Sequence, residues 1–240
     1  MKKNIKIRGF NKASEAGVDI FAPSIFLGGC NLRCPYCINF KLALNEITNE
    51  IDIEEVRKYV ADDKSEWLMI SGGEPTINDA DDLSNLLGEI KFWGCKVGMS
   101  TNGCFPNTLS KIIKLLNYVA LDIKSNKQEH YDLISENSKF CAFNNMIISH
   151  GLLAEEKNKR KDFDYELRTT LFPPFIDKNA IEELATIIRK QDKWVLQQFR
   201  HNNNMIDNKC RNISSYGDKK IEEMISIAKK NCDNVVLRYV

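Results

Sequence analysis

The sequence lacks any apolar run near the roughly 20 residues that a membrane-spanning helix needs. It also lacks internal repeats, low-complexity tracts and a Pro/Gly-rich linker; Pro occurs 6 times and Gly 12 times in 240 residues. Neither sign of charge is in excess: 34 Lys and Arg oppose 33 Asp and Glu, for a formal net charge of +1. Each absence excludes something. No membrane span is expected, and no nucleic-acid partner, because a dedicated nucleic-acid binder carries a strongly basic balance. The run at 155–164, "EEKNKRKDFD", carries both signs and reads as a solvated helix end or loop. The opening "MKKNIKIRGF" has charge but no apolar stretch behind it, so no secretory signal is expected. A cytoplasmic protein with reduced thiols follows.

What is present is the balance of a globular protein, 43% hydrophobic and 28% charged,. Seven short apolar or β-branched runs read as strands: 24–29, 67–71, 96–100, 118–124, 165–171, 194–199 and 234–240. Between them lie stripes at helical spacing. These are Leu83, Leu86, Leu87 and Ile90; Leu109, Ile112, Ile113 and Leu116; Ile181, Leu184, Ile187 and Ile188; and Ile221, Met224, Ile225 and Ala228. Strand and helix alternate about six times. That predicts an α/β fold with a parallel sheet and right-handed crossovers, either an open doubly wound sheet or a partly closed barrel. In both, function gathers at the C-terminal ends of the strands. Unusual polar residues do fall there: "GGCNLRCPYC", "SGGEPT", "STNG", Asp122 and Lys124, Arg168, and Gln197, Gln198 and Arg200 follow or close six successive strands.

Of eight cysteines, Cys95, Cys104, Cys141, Cys210 and Cys232 are scattered and read as core or incidental residues,. The other three, Cys30, Cys34 and Cys37, crowd into one loop as Cys-x3-Cys-x2-Cys. Three thiolates suit three corners of a [4Fe–4S] cube and leave one iron open for chemistry. A structural zinc site, the alternative, wants four protein ligands and finds Ile38 where a nearby His could have stood. "SGGEPT" alone would be an ordinary turn.

The cysteine spacing with aromatic Tyr36 before the last Cys resembles the signature of the radical S-adenosylmethionine (radical SAM) enzymes, and "SGGEPT" strengthens the likeness. The resemblance implies one radical SAM core domain over residues 1–240, a partial (β/α)6 TIM-like barrel. It implies a [4Fe–4S] cluster on Cys30, Cys34 and Cys37 and SAM on its open iron. Reductive cleavage of SAM then gives a 5′-deoxyadenosyl radical that abstracts a hydrogen atom. Ser71, Gly72, Gly73 and Glu74 would receive the methionine amino group, and Tyr36 belongs to the same cofactor site.

The pieces from 28–39 through "SGGEPT", "STNG", "VALDIK" and "ELRTTLFPPFID" to "LQQFR" are most similar to the glycyl-radical-enzyme activases. Their substrate is a backbone glycine of a partner enzyme, and a flavodoxin- or ferredoxin-type protein supplies the electron. Carried over by position, Thr101 and Asn102 lie near the SAM ribose or a monovalent cation site, and Asp122 helps hold that cation. Lys124 lies near the active centre, and His201 touches the adenosyl group. Arg168 pairs with the SAM carboxylate, or alternatively with Asp122 inside the barrel. Two positions depart from the activase pattern: Ser100 stands for the Asp before Thr-Asn-Gly, and Ile38 for the His after the third cysteine. Two other readings remain: a radical SAM enzyme acting on a small molecule or nucleoside, in the manner of 7-carboxy-7-deazaguanine synthase, and a non-catalytic iron–sulfur protein.

Overall fold

The β-branched runs become strands because their side chains pack on a pleated, half-buried surface. The computed structural model describes residues 5–17, 20–135, 141–200 and 205–239. It contains all seven expected strands: β2 (Ile20–Leu27), β3 (Trp67–Gly72), β4 (Lys96–Thr101), β5 (Tyr118–Asp122), β6 (Asp164–Thr170), β7 (Lys193–Gln198) and β8 (Asn234–Tyr239). They pair in chain order, each parallel to the next. An eighth strand was not expected. β1 (Ile7–Gly17) pairs antiparallel with β2 and breaks register at three places. Its sequence, "IRGFNKASEAG", has neither an apolar run nor strict alternation. An edge strand with bulges does not need them, and an antiparallel edge on a parallel sheet is common.

Each parallel step requires a crossover, and helices supply it. α1 (Phe40–Ala43) and α2 (Ile53–Asp63) join β2 to β3; α3 (Ala80–Phe92) and α4 (Pro106–Ile112) make the next two crossings. α5 (Gln128–Ile134) and α6 (Ala142–Lys159) join β5 to β6, and α7 (Lys178–Ile187) and α8 (Asp218–Ala228) complete six β/α units. The starts are encoded locally. Asp79 accepts from the Asp81 and Asp82 amides, and Asp177 from Ala180, capping otherwise unpaired N–H groups,. α2 stops at Lys64, which adopts a left-handed conformation, φ 54°. β1 and β8 end the strand order and do not pair with each other, so the barrel is open along one side.

The expected stripes face the sheet. Leu83, Leu87, Ile90, Leu109, Ile112, Leu116, Ile181, Leu184 and Met224 are fully buried, while Ile187 and Ile225 are only partly so. Truncating one such buried Leu to Ala costs about 2–5 kcal/mol. The packing is dense enough to shape even the strands. A Cβ on Gly98 would lie 2.1 Å from the Met69 sulfur. Among the described residues no helix is long and apolar enough to cross a membrane.

Candidate active site

The cysteine loop starts where β2 ends. "CPYC" closes as a tight turn, with Cys37 N–H donating to the Cys34 carbonyl at 2.9 Å. Pro35 fits the second turn position because its ring presets φ. The two-residue gap therefore brings Cys34 and Cys37 together by backbone geometry alone. The loop is then pinned from outside. Arg33 N–H donates to Ile134 O (2.6 Å), Leu32 bridges Ser135, and the Arg33 guanidinium donates to the carbonyls of Cys30 (2.7 Å) and Leu32 (3.0 Å). Cys34 is buried, and Cys30 and Cys37 are half-buried.

The "SGGEPT" turn lies directly on this loop. Gly73 N–H donates to Leu27 O and Glu74 N–H to Gly29 O, at 2.9 and 2.8 Å, which extends the β2–β3 ladder past the strand ends. Only glycine permits that approach. Gly72 has φ +121°, and a Cβ there would sit 2.2 Å from the Leu27 oxygen; a Cβ on Gly73 would sit 1.8 Å from the Gly29 oxygen,. The two glycines thus let the turn rest on the cysteine loop. Ser71 is half-buried at the end of β3.

Glu74 is 1% exposed. Its Oε1 accepts from Thr76 N (3.0 Å), Thr76 Oγ1 (2.5 Å) and Thr101 Oγ1 (2.6 Å), and its Oε2 from Asn102 N (2.6 Å). Burial pushes its pKa up in spite of these four donors. An ammonium on this carboxylate would add a fifth donor to four already in place. Thr101 and Asn102, at the end of β4, are likewise turned inward. Thr101 Oγ1 accepts from Gly103 N (3.1 Å), and Asn102 Nδ2 donates to Asn31 Oδ1 (2.8 Å).

Deeper in the barrel, Glu166 is fully buried between two guanidiniums. Arg168 Nε lies 2.5 Å from Glu166 Oε1, and Arg238 on β8 grips both Glu166 oxygens at 3.1 and 3.3 Å. Burial works against ionised Glu166, but Arg168 and Arg238 outweigh it and hold the carboxyl below its usual range. The ion pair considered for Arg168 thus exists, with Glu166 rather than Asp122 as its close partner. Asp122 instead holds Lys124 Nζ at 2.9 Å. Burial disfavours that ammonium, yet Asp122, then Tyr36 and Cys34, hold it well above the ordinary lysine range. Two arginines, one lysine and two carboxylates leave one surplus positive charge. Arg168 Nη1 lies 3.5 Å from Ser100 Oγ, so a cation at the position suggested by the resemblance would face a guanidinium.

Tyr36 packs its ring on Phe172 (centroids 4.5 Å apart) and Phe199 (6.4 Å). His201 lies outside the described residues. Sequence reasoning missed Glu166, Arg238, Thr76 and Asn31. A signal existed for Glu166 alone: two residues before Arg168 on a strand, it must share that face. Cys104, read as a core or incidental residue, is buried in one apolar cluster with Leu32, Cys34 and Tyr131.

The residues fit an iron–sulfur cluster. Thiolates are the soft donors such clusters take. Among the described residues no three His, Cys, Asp or Glu converge on one ion position. Burial first, and the Glu74 carboxylate next, push Cys30 up to about 12; burial pushes Cys34 up to about 11. Such thiols ionise at neutral pH only when a metal displaces the proton. The Tyr36 hydroxyl is buried without a hydrogen-bond partner, a polar atom that a bound group could satisfy,. A profile of the radical SAM superfamily matches residues 24–143, half of the chain.

The chain belongs to the radical SAM superfamily.

As a radical SAM enzyme it uses a [4Fe–4S] cluster and SAM, and the non-catalytic reading falls away. A Methanocaldococcus jannaschii protein provisionally named a glycyl-radical enzyme activating enzyme is 31% identical over 90% of this chain and 88% of its own length. The 7-carboxy-7-deazaguanine synthase of Haemophilus influenzae is 30% identical over 64% of this chain and 70% of its own. A crystallised domain of the pyruvate-formate lyase-activating enzyme from Bacteroides vulgatus shares the fold, with a TM-score of 0.52 at 15% identity over 71% of this chain and 97% of that one.

Proposed function

We propose that this radical SAM enzyme installs a radical on a backbone glycine of a large partner, a glycyl radical enzyme. The observation that carries this reading is the 31% identity to the activating-enzyme relative, which runs through 90% of the chain. The open barrel supports it. β1 and β8 end the sheet without pairing to each other, and a radical site must exclude water and side reactants. A protein loop entering there supplies the cover, and glycine, having no side chain, permits the closest approach.

Cys30, Cys34 and Cys37 would hold three irons and would leave the fourth open to SAM. When bound, the cluster and SAM supply a carbon radical that abstracts hydrogen. The chain's own residues bind and orient. The 71–74 turn would take the SAM ammonium, with Glu74 Oε2, which accepts only from Asn102 N, as its anionic acceptor,. Arg168 would face the SAM carboxylate, which suits a guanidinium fork. The Tyr36 hydroxyl and the Lys124–Asp122 pair lie on the same side, beside Cys34. Thr101 and the Asn102 backbone would lie towards the adenosyl end, and the resemblance gives His201 the contact to the adenosyl group. The electron comes from a flavodoxin- or ferredoxin-type protein.

The test mixes reduced enzyme, SAM and the partner under anaerobic conditions. A stable glycyl radical by electron paramagnetic resonance, with 5′-deoxyadenosine formed in proportion, is expected. Alanine in place of the partner's glycine should remove the signal. The identity shared with 7-carboxy-7-deazaguanine synthase favours a second reading, a small-molecule or nucleoside substrate. Many turnovers on a free nucleoside without a partner would establish that reading instead.

A further inference from the structure

We infer that Asn102 is a positioning residue for the iron–sulfur cluster, and that its side-chain amide hydrogen-bonds the Cys30 sulfur and favours the reduced cluster. The resemblance places Asn102 near the SAM ribose or a monovalent cation site. Its side chain faces Cys104 and the cysteine loop. Asn102 is 5% exposed, and each of its side-chain polar atoms already has a protein partner. Oδ1 accepts from Cys104 N at 3.0 Å, which orients the amide. Nδ2 donates to Asn31 Oδ1 at 2.8 Å, inside the cysteine loop, and lies 3.9 Å from Cys30 Sγ. That is long for an N–H···O bond but within reach of the larger sulfur. Cys30 Sγ accepts a second N–H, from Leu32, at 3.4 Å.

The chemistry follows from charge. Reduction places one more electron on a cluster whose thiolates already carry negative charge. A fixed N–H dipole aimed at a ligating sulfur offsets part of that charge, so it stabilises the reduced state and raises the potential. The donor must be held, because an amide free to rotate would average its dipole away. Asn102 is held on four sides: its backbone N–H on Glu74 Oε2 at 2.6 Å, Oδ1 on Cys104, and Nδ2 on Asn31 and Cys30. The same residue thus joins the "SGGEPT" turn to the sulfur. The inference holds whichever substrate the enzyme takes.

The test measures the cluster's midpoint potential in the reconstituted enzyme by electron paramagnetic resonance at set poises. Asn102→Asp keeps the size of the side chain and the oxygen that accepts from Cys104, but replaces the donor with an acceptor. Asn102→Ala removes both. Asn145→Ala is the control. Asn145 Nδ2 donates to Cys104 O at 3.0 Å and braces the same turn without reaching the sulfur. Both Asn102 variants should keep their iron and lower the reduced-to-oxidised ratio at a fixed poise about tenfold, equivalent to 59 mV for one electron. Asn145→Ala should stay within about twofold of the unaltered protein. An unchanged midpoint in iron-replete Asn102→Asp would overturn the inference. So would an equal shift in Asn145→Ala, or loss of iron from both Asn102 variants while Asn145→Ala retains it, since either result would make Asn102 only a strut.

Discussion

Two buried carboxylates sit at opposite ends of the same sheet. Glu74 lies at the mouth, past the end of β3, and accepts four hydrogen bonds, all from neutral hydroxyls and amides. Asp192 lies at the floor, just before β7, and accepts from His150 Nε2 (2.7 Å), the Tyr165 hydroxyl and Arg189 N (2.7 Å). Burial raises the pKa of both. At Glu74 burial wins and the carboxyl stays above its ordinary range. At Asp192 the bonds, with His150 foremost, win and hold it below. A count of hydrogen bonds would rank the two the other way. At Asp192 the hydrogen bond from His150 is the largest opposing contribution, followed by those from Tyr165 and Arg189. Glu74 has neutral donors around it and the cysteine loop beside it, so a cationic ligand at the mouth would relieve it, whereas Asp192 is already satisfied within the protein. Buried polarity alone does not mark function; its place at the C-terminal strand ends does.

The largest contrast concerns iron. Reconstituted protein should hold about four irons per chain, the content of one cube. Replacing Cys30, Cys34 or Cys37 with Ala should remove nearly all of it, while His150→Ala at the floor, and Cys141→Ala on the surface, should leave it whole. Iron and sulfide assays decide this. A full cluster in Cys34→Ala would remove the mouth's claim to chemistry.

Next comes stability. Glu74→Ala and Asp192→Ala should each cost about 3 kcal/mol or more in urea unfolding, because several buried donors lose their acceptor at roughly 1–3 kcal/mol each. Only the Glu74 variant should also weaken SAM binding, since only its turn faces the ligand. Equal SAM affinity in both variants would erase the functional difference between the two ends.

The pH dependence should differ in sign. Asp192 has a depressed folded pKa, so its contribution is present above the unfolded value, about 3.9, and is lost as pH falls through the lower folded value. Glu74 has a raised folded pKa, so the folded state takes up the proton first. Its penalty is present at neutral pH and lifts as pH falls towards the unfolded value, about 4.3. In cluster-free protein, Asp192→Asn should flatten the acid limb below pH of about 4, and Glu74→Gln should flatten the slope above it. Parallel slopes in both variants would contradict the assignment.

The smallest effect concerns Tyr36. Its hydroxyl is buried without a partner, so Tyr36→Phe should stabilise the cluster-free protein by about 1 kcal/mol. The gain should shrink once cluster and SAM are bound, if either supplies the missing partner. Thermal unfolding with and without them measures it.

Much of the fold could be read from the chain because its signals are local. Strand runs of five or six residues, helix stripes at three and four, Asp caps and the "CPYC" turn all act within one element, and all appear in place. The position of polar residues at six strand ends was also readable, since alternation dictates parallel pairing and parallel pairing puts those ends on one side. β1 escaped because an exposed, bulged edge carries no apolar signature. The inner connections of the site belong to the tertiary structure. Glu74 reaches Asn102 across 28 residues, Asn102 reaches Cys30 across 72, and Arg238 reaches Glu166 across 72. "GGE" read alone gives Glu74 to a ligand, and Asn102 read alone gives a ribose contact. The sequence determined which groups stand at the mouth. Only the fold decided which of them are already bonded to one another, because a buried polar atom takes the partner that packing places beside it, however far away along the chain.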